Sequence, residues 1–374
     1  MEVAHRQIAR WSVVVLMVLS CALLARGSSD QQFLQQDNHD EDAQRELQIG
    51  TQLTRQGHFA EAIPHLLSAR GNVRDEYAAS FNLALCYVGT TQYKQAIEVL
   101  RDLNSHRSTA EVESLLAQAF IGDGKKEEAF AAAQRAARIA PKNEKLYLLV
   151  TDACTEAGDY DLGLKIIELG LHELPNSARL LFEHGMLLAQ LDSDDAAKRD
   201  LERVTAMAPG TDIAFMAAAQ KSLFDGDVKQ AMRSAREGIQ RGNQHFMLLT
   251  LYGEAVIRAG IGPGQPEFVE AQQALEKAVA EHANYSSAQI GLGKILLIQG
   301  RIDDAISHLE TGRQLDPKNP AVYANLATAY RQRGDERRVR ETLDALAKLN
   351  REQVEKISTA PGETKRGYAT GVPK

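Results

Sequence analysis

What this chain has least of is tryptophan, cysteine and aromatic side chains. Its 374 residues include one tryptophan, Trp11, and only 6% aromatics. Three cysteines, Cys21, Cys86 and Cys154, are too few and too scattered for a disulfide framework or a paired-cysteine metal site. On the period derived below, Cys86 and Cys154 lie two repeats apart, across several helices spaced roughly 8–10 Å. A disulfide needs α-carbons within about 7 Å, so both are expected to be buried small apolar residues. The histidines show no metal-ligand spacing, and H-E-x-x-H is absent. His58 and His65, seven apart, read as a solvated pair. The G-x-G-x-G of Gly260 to Gly264 follows no strand and opens no βαβ unit, so it is not a phosphate cradle, and Gly291 and Gly293 fare no better. The carboxylate pairs Asp194–Asp195 and Asp303–Asp304 fit first helical turns, where they favour the dipole. No catalytic residue, cofactor site or metal site is identified, and no enzyme is expected.

The charge balance excludes a second class. The formal net charge is -7, and without residues 1–27 it becomes -9, from 40 basic and 49 acidic side chains. Such a body repels phosphate backbones and anionic headgroups, so nucleic acid is not an expected partner. Residues 1–27 read as a secretory signal peptide. His5, Arg6 and Arg10 give a basic start, Trp11 to Ala25 is almost wholly apolar, and Ala25 and Gly27 precede Ser28 at -3 and -1. The alternatives are an uncleaved inner-membrane anchor over residues 11–25 and a lipoprotein acylated at Cys21. Only in those cases is a membrane a partner. Polar residues 28–42 form a flexible lead-in.

The body of the chain is periodic. Pro141, Pro175 and Pro209 are 34 residues apart, and Pro317 follows after 108, three further periods plus six. The six extra residues fit the proline- and glycine-rich stretch Gly260 to Phe268. In the same phase, Gly57, Gly124, Gly158, Gly226, Gly260, Gly300 and Gly334 each end an amphipathic stretch, with Thr91 and Asp192 filling that slot elsewhere. Glycine suits the left-handed cap that closes a helix, and proline cannot continue one. Small residues recur at position 8 (Gly50, Ala84, Ala117, Thr151, Gly185, Ala219, Gly253, Gly293, Ala327) and position 20 (Ala62, Ala96, Ala129, Gly163, Ala197, Ala231, Ala271, Ala305 and, less well, Val339), where two helices must approach closely. Tyr87, Phe120 and Tyr330 at position 11, and Phe59, Tyr93 and Tyr160 at position 17, are packing rings.

A 34-residue helix–turn–helix period of this kind resembles the tetratricopeptide repeat (TPR) family over residues 43 to 350. Nine units start near 43, 77, 110, 144, 178, 212, 246, 286 and 320, and residues 351–374 give a helix extension and a disordered tail. The resemblance implies an all-α, right-handed superhelical solenoid of about nine helix–turn–helix repeats. Position 4, usually tryptophan in the family, carries Glu46, Ser80, Glu113 and Gln289 here, so looser packing is expected in the first three repeats.

In this family the concave groove is lined by positions 2, 5, 9 and 12 of each first helix, offsets that share one helix face. The groove residues implied are Phe81, Leu85 and Val88 in repeat 2, and Arg179, Phe182, Met186 and Ala189 in repeat 5. Repeat 6 adds Ile213, Met216, Gln220 and Leu223, and repeat 7 adds Met247, Thr250, Glu254 and Ile257. Three adaptable methionines suit varied apolar ligands. Neither the lysine–asparagine set of chaperone-tail TPR domains nor the asparagine ladder of sugar-transferase arrays is present, since Leu47 and a broken Asn82…Asn325 series stand there. The reading is an exported, non-enzymatic TPR scaffold, periplasmic or outer-membrane associated in a bacterium, that binds a protein or peptide in its groove. Its rivals are a subunit of an envelope enzyme and a spacer with no groove ligand.

Overall fold

A computed structural model describes residues 41–359, the side chains of 353–359 excepted. The expected signal peptide, its anchor and lipoprotein alternatives, and the tail beyond 359 lie outside the described residues. Those residues are all-α: eighteen helices and no strand. They run as nine consecutive pairs of a first and a second helix. The first five are α1 (41–55) with α2 (Phe59–Ala69), α3 (Glu76–Gly89) with α4 (Tyr93–His106), α5 (Ala110–Gly122) with α6 (Lys126–Ile139), α7 (Glu144–Glu156) with α8 (Tyr160–Glu173), and α9 (Ala178–Gln190) with α10 (Asp194–Met207). Then come α11 (Asp212–Phe224) with α12 (Val228–Gln240), α13 (Phe246–Arg258) with α14 (Pro266–Glu281), α15 (Ser286–Ile298) with α16 (Ile302–Leu315), and α17 (Pro320–Arg333) with α18 (Glu336–Thr359). Two compact units divide the described residues, one up to Leu180 and one from Leu181.

Local chemistry sets the helix ends. Asp75 and Asp227 accept from the backbone N–H groups of Ala78 and Gln230 at 3.0 and 2.9 Å, and Asn319 accepts from Ala321 at 3.0 Å. Each satisfies a donor that the first turn leaves free. Pro266 and Pro320 open α14 and α17, where no N–H is needed. Pro141, Pro175, Pro209 and Pro317 stand just beyond the ends of α6, α8, α10 and α16. All nine first helices close on a left-handed residue. Seven are glycines, with φ from 68° at Gly158 to 81° at Gly334, and the others are Thr91 at 60° and Asp192 at 56°.

The two helices of a pair meet over the small residues. A β-carbon placed on Gly253 would lie 2.5 Å from Leu275 of α14, and one on Gly293 would lie 2.6 Å from Leu309 of α16. Successive pairs then interlock. The Phe59 ring fills the space a side chain at Gly89 would need, and Tyr93 does the same at Gly122. First helices are covered on more sides than second helices. Helix α13 buries eight residues between Leu248 and Val256, whereas α12 buries only Ala231, Ser234, Ala235 and Gly238.

Position 4 departs from the expected looseness. Ser80, Glu113 and Gln289 are buried, and each is hydrogen-bonded. Glu113 accepts from Arg135 at 2.8 Å and Asn104 at 3.2 Å, and Gln289 donates to the Ala283 carbonyl at 2.7 Å. Polar bonds replace a ring there, although at Glu113 they all fall on Oε1, and Oε2 is buried without a hydrogen-bond partner among the described residues. Cys86 and Cys154 are buried free thiols, and burial pushes Cys154 up to about 12.

Two stability outcomes follow. A β-branched residue in the left-handed region costs roughly 1–2 kcal/mol, and glycine returns part of that as chain entropy. Thr91→Gly should therefore stabilise the chain by about 0.5–1 kcal/mol in a urea titration, whereas Gly334→Thr should destabilise it. The second outcome concerns His308, whose Nδ1 lies 2.8 Å from the Gln289 side-chain oxygen. Desolvation holds its pKa below the ordinary histidine value, with the Arg301 charge acting in the same sense. The unfolded chain thus takes up the proton first, and this contribution is whole at neutral pH and lost as pH falls below about 6.5. His308→Gln should make the fall in melting temperature between pH 7 and 5 shallower.

Candidate functional site

The layer that can face a ligand follows from which helices touch. Within residues 41–180, α3 packs on α5 and α5 on α7, while second helices meet only at α6 and α8. Within the second unit α11, α13, α15 and α17 pack in succession, and among the described residues no second helix there is seen to meet another. Closer spacing on the first-helix side puts that layer on the inner side of the bend in each unit.

In the first unit, Phe81, Leu85 and Val88 of α3 are half-buried and rest on a core that includes Leu83, Leu100 and Leu116. Phe81 stacks on Tyr77 with centroids 5.9 Å apart, and the Arg107 guanidinium lies 5.7 Å over the Tyr77 ring. Arg179, near the start of α9, is exposed.

The second unit divides its candidates. Met186, Ala189, Ile213, Gln220, Met247, Glu254 and Ile257 are half-buried. Phe182, Met216 and Leu223 are interior, with 2%, 5% and 4% of their surfaces accessible. Thr250 is also buried and bonds its own helix at the Phe246 carbonyl, 2.8 Å away. The surface open to a ligand is thus narrower than the four-position pattern implies. Phe182 and Met216 are supports beneath it, not contacts upon it. Glu254 is held by Arg258 at 2.5 Å, one turn on along α13.

Sequence reasoning missed an aromatic cluster at the start of α13. The Phe246 ring lies 4.6 Å from His245, 3.9 Å from His282 and 4.9 Å from Tyr285, the last edge-on. Burial pushes the Tyr285 hydroxyl up to about 12, and the Glu254 and Glu183 charges push it the same way against a hydrogen bond from Ser287. Tyr285 therefore belongs with the half-buried set. The available signal was its place as the last residue before a first helix, beside the position-1 ring of Phe246. The insertion forms residues 259–265 and an added turn at the start of α14, and Val269 on that helix is 50% exposed.

No group of three or more histidine, cysteine, aspartate or glutamate side chains that could hold a metal occurs among the described residues. His58 and His65 turn to separate carboxylates, Glu61 at 2.9 Å and Glu46 at 2.6 Å. The first unit has an apolar crevice between α6, α7 and α8, lined by Ala136, Leu146, Tyr147 and Ile166 among others. The Tyr147 hydroxyl donates instead to the Pro141 carbonyl, 3.0 Å away. No helix of the described residues is long and apolar enough to cross a membrane.

A family model for the tetratricopeptide repeat matches residues 53–119, 265–312 and 296–359. No curated protein matches in sequence. Among solved structures, a tetratricopeptide repeat protein from Parabacteroides merdae is similar at 18% identity and TM-score 0.48, over 68% of this chain and 98% of that one. The hetero-tetramer of Cut9 and Hcn1 from the APC/C is similar at 14% identity and TM-score 0.48, over 86% of this chain and 78% of that one. YrrB, described as a TPR protein with an unusual peptide-binding site, shares 16% identity at TM-score 0.34, over 51% of this chain and 96% of its own. TPR proteins in general are non-enzymatic scaffolds for protein and peptide partners. Residues 53–119 and 265–359 match the tetratricopeptide repeat model, and the helix pairs between them have the same two-helix form.

Proposed function

We propose that this protein is an exported, non-enzymatic TPR scaffold that docks an apolar segment of a partner protein on the first-helix layer of its second unit. The observation that carries the reading is the half-buried set Met186, Ile213, Met247, Ile257 and Tyr285, supported from beneath by buried Phe182 and Met216. Half-burial leaves each side chain with surface to contribute, and methionine adapts to varied apolar shapes. The arrangement suits an extended or helical segment, because its side chains are spread along a succession of first helices. Export rests on the basic-then-apolar start of residues 1–27, and a role in bacterial envelope assembly rests on that same start. A spacer, or a subunit of an envelope enzyme, with no ligand on this layer is the competing reading.

The test is affinity capture from envelope extract with the full chain as bait. Met247→Asp with Ile257→Asp changes half-buried sites and should leave the helical signal and melting midpoint close to the parent. A partner held by the parent should be lost from this variant by at least about tenfold, which corresponds to 1.4 kcal/mol. It should be retained by Val269→Asp on α14. Equal capture by all three forms would transfer the function to the spacer reading. Phe182→Asp is unsuitable, because an unpaired charge in the interior unfolds the chain.

A further inference from the structure

Net charge hides a local exception on the first-helix layer. The chain carries a formal charge of -7, and every first helix from α1 to α13 holds at least one aspartate or glutamate. Helices α15 and α17 hold none. Their charged side chains are Lys294 on α15, and Arg331 and Arg333 on α17. The two helices pack on each other, so the exception is a continuous stretch of the layer.

Arg333 is already engaged, with the Tyr330 ring at 5.1 Å, Asp335 at 3.2 Å and Asp303 at 3.7 Å. Lys294 and Arg331 are not. Neither side chain has an ion pair, hydrogen bond or ring contact among the described residues. The carboxylates that could have neutralised them are committed elsewhere. Glu254, the one carboxylate of the adjoining first helix α13, is held by Arg258 at 2.5 Å. On the intervening second helix α16, Asp304 is held by Arg301 at 2.6 Å and Glu310 by Arg313 at 2.7 Å. The exposed carboxylates of α18, Glu336 and Asp344 among them, make no ion pair with Lys294 or Arg331.

Lys294 is position 9 of α15 and Arg331 position 12 of α17, the helix face that on α13 presents Met247 and Ile257. Lys294 is half-buried and Arg331 exposed. A lysine in that setting packs its methylene stem and keeps its ammonium in water. The remainder of this face on α17 is Ala321, Ala324 and Thr328, side chains small enough to leave room for an incoming main chain. The layer thus passes from apolar on α11 and α13 to small and cationic on α15 and α17.

We propose, resting on the docking reading above, that the partner segment is acidic as well as apolar, with its apolar residues on α11 and α13 and its aspartate or glutamate side chains on Lys294 and Arg331. Two unpaired cations on adjacent helices give charge-assisted bonds to carboxylates and fix the register of the segment along the layer. The acidic body around them repels an extended anion such as a lipid sheet or a nucleic-acid backbone, whereas a short acidic segment meets only the local charge.

Panning a display library of random short peptides against the full chain tests it. Selected peptides should be enriched in leucine, isoleucine, methionine or phenylalanine and, on one side of that stretch, in aspartate and glutamate. Lys294→Gln with Arg331→Gln changes no interior position, so the melting midpoint and the apolar enrichment should stay while the acidic enrichment disappears. A selected peptide, titrated by fluorescence anisotropy, should bind this variant at least about tenfold more weakly at low salt. The gap should close towards about 0.5 M salt, where the screening length drops to a few ångströms. Lys294→Glu with Arg331→Glu should select basic flanks instead. Apolar enrichment without an acidic flank, or an acidic flank that the glutamine variant still selects, overturns the proposal and leaves the docking reading standing. Selection of no apolar peptide removes both. Self-association of the chain, or its binding to phosphatidylglycerol vesicles, that the glutamine variant abolishes would give these cations to a second copy or to a lipid surface, and overturns it as well.

Discussion

The close approach of two helices over a seam of small residues is the constraint on which the rest of this structure depends. At Gly253 and Gly293 the facing leucine occupies the space that any β-carbon would take. Interhelical distance at these positions is thus set by backbone and not by side-chain adjustment. A hairpin this thin cannot enclose a core. Its apolar rings and leucines must be covered by the next hairpin, as Phe59 is at Gly89 and Tyr93 at Gly122. Stability is then a sum of hairpin and junction contributions, with no single centre.

The same geometry separates the two layers. First helices touch first helices, so α13 is buried almost all round and keeps one narrow strip toward the inner side. Second helices keep one packed face and expose the remainder, which explains why α12 buries only alanine, serine and glycine. Residues on the inner strip are constrained by neither the seam nor the junction. Their chemistry can change without loss of fold, and that freedom is what makes the strip a plausible place for a partner.

Much of the fold was legible because its determinants are local. The 34-residue period of the prolines, the glycines closing each first helix and the small residues of the seam all act within one hairpin. Even the two slots without glycine behaved as their phase required, since Thr91 and Asp192 adopt the same left-handed backbone. The accessible part of the inner layer was less legible. A four-position rule picks a helix face, but burial on that face depends on side chains brought in from other pairs. Phe182, Met216 and Leu223 share the register of Met186 and Met247 and still lie inside. Tyr285 escaped notice because it precedes its helix and so falls outside any rule counted along one.

Position 4 shows how an array tolerates exceptions. A large ring there would fill the junction by volume, whereas Glu113 fills it by bonds to Arg135 and Asn104 from the helices on either side. The two solutions respond differently to change. Trimming a ring loses contact area in proportion to what is removed. Removing one member of a buried polar set strands the others, at a cost beyond the worth of the bond itself. Junctions built on Glu113 or on Gln289 and His308 are therefore less forgiving than those built on Phe215 or Leu249. On the first pair, where no earlier hairpin covers position 4, Glu46 turns its carboxylate to His65 and remains half-exposed. An acidic group is inexpensive there because water still reaches it.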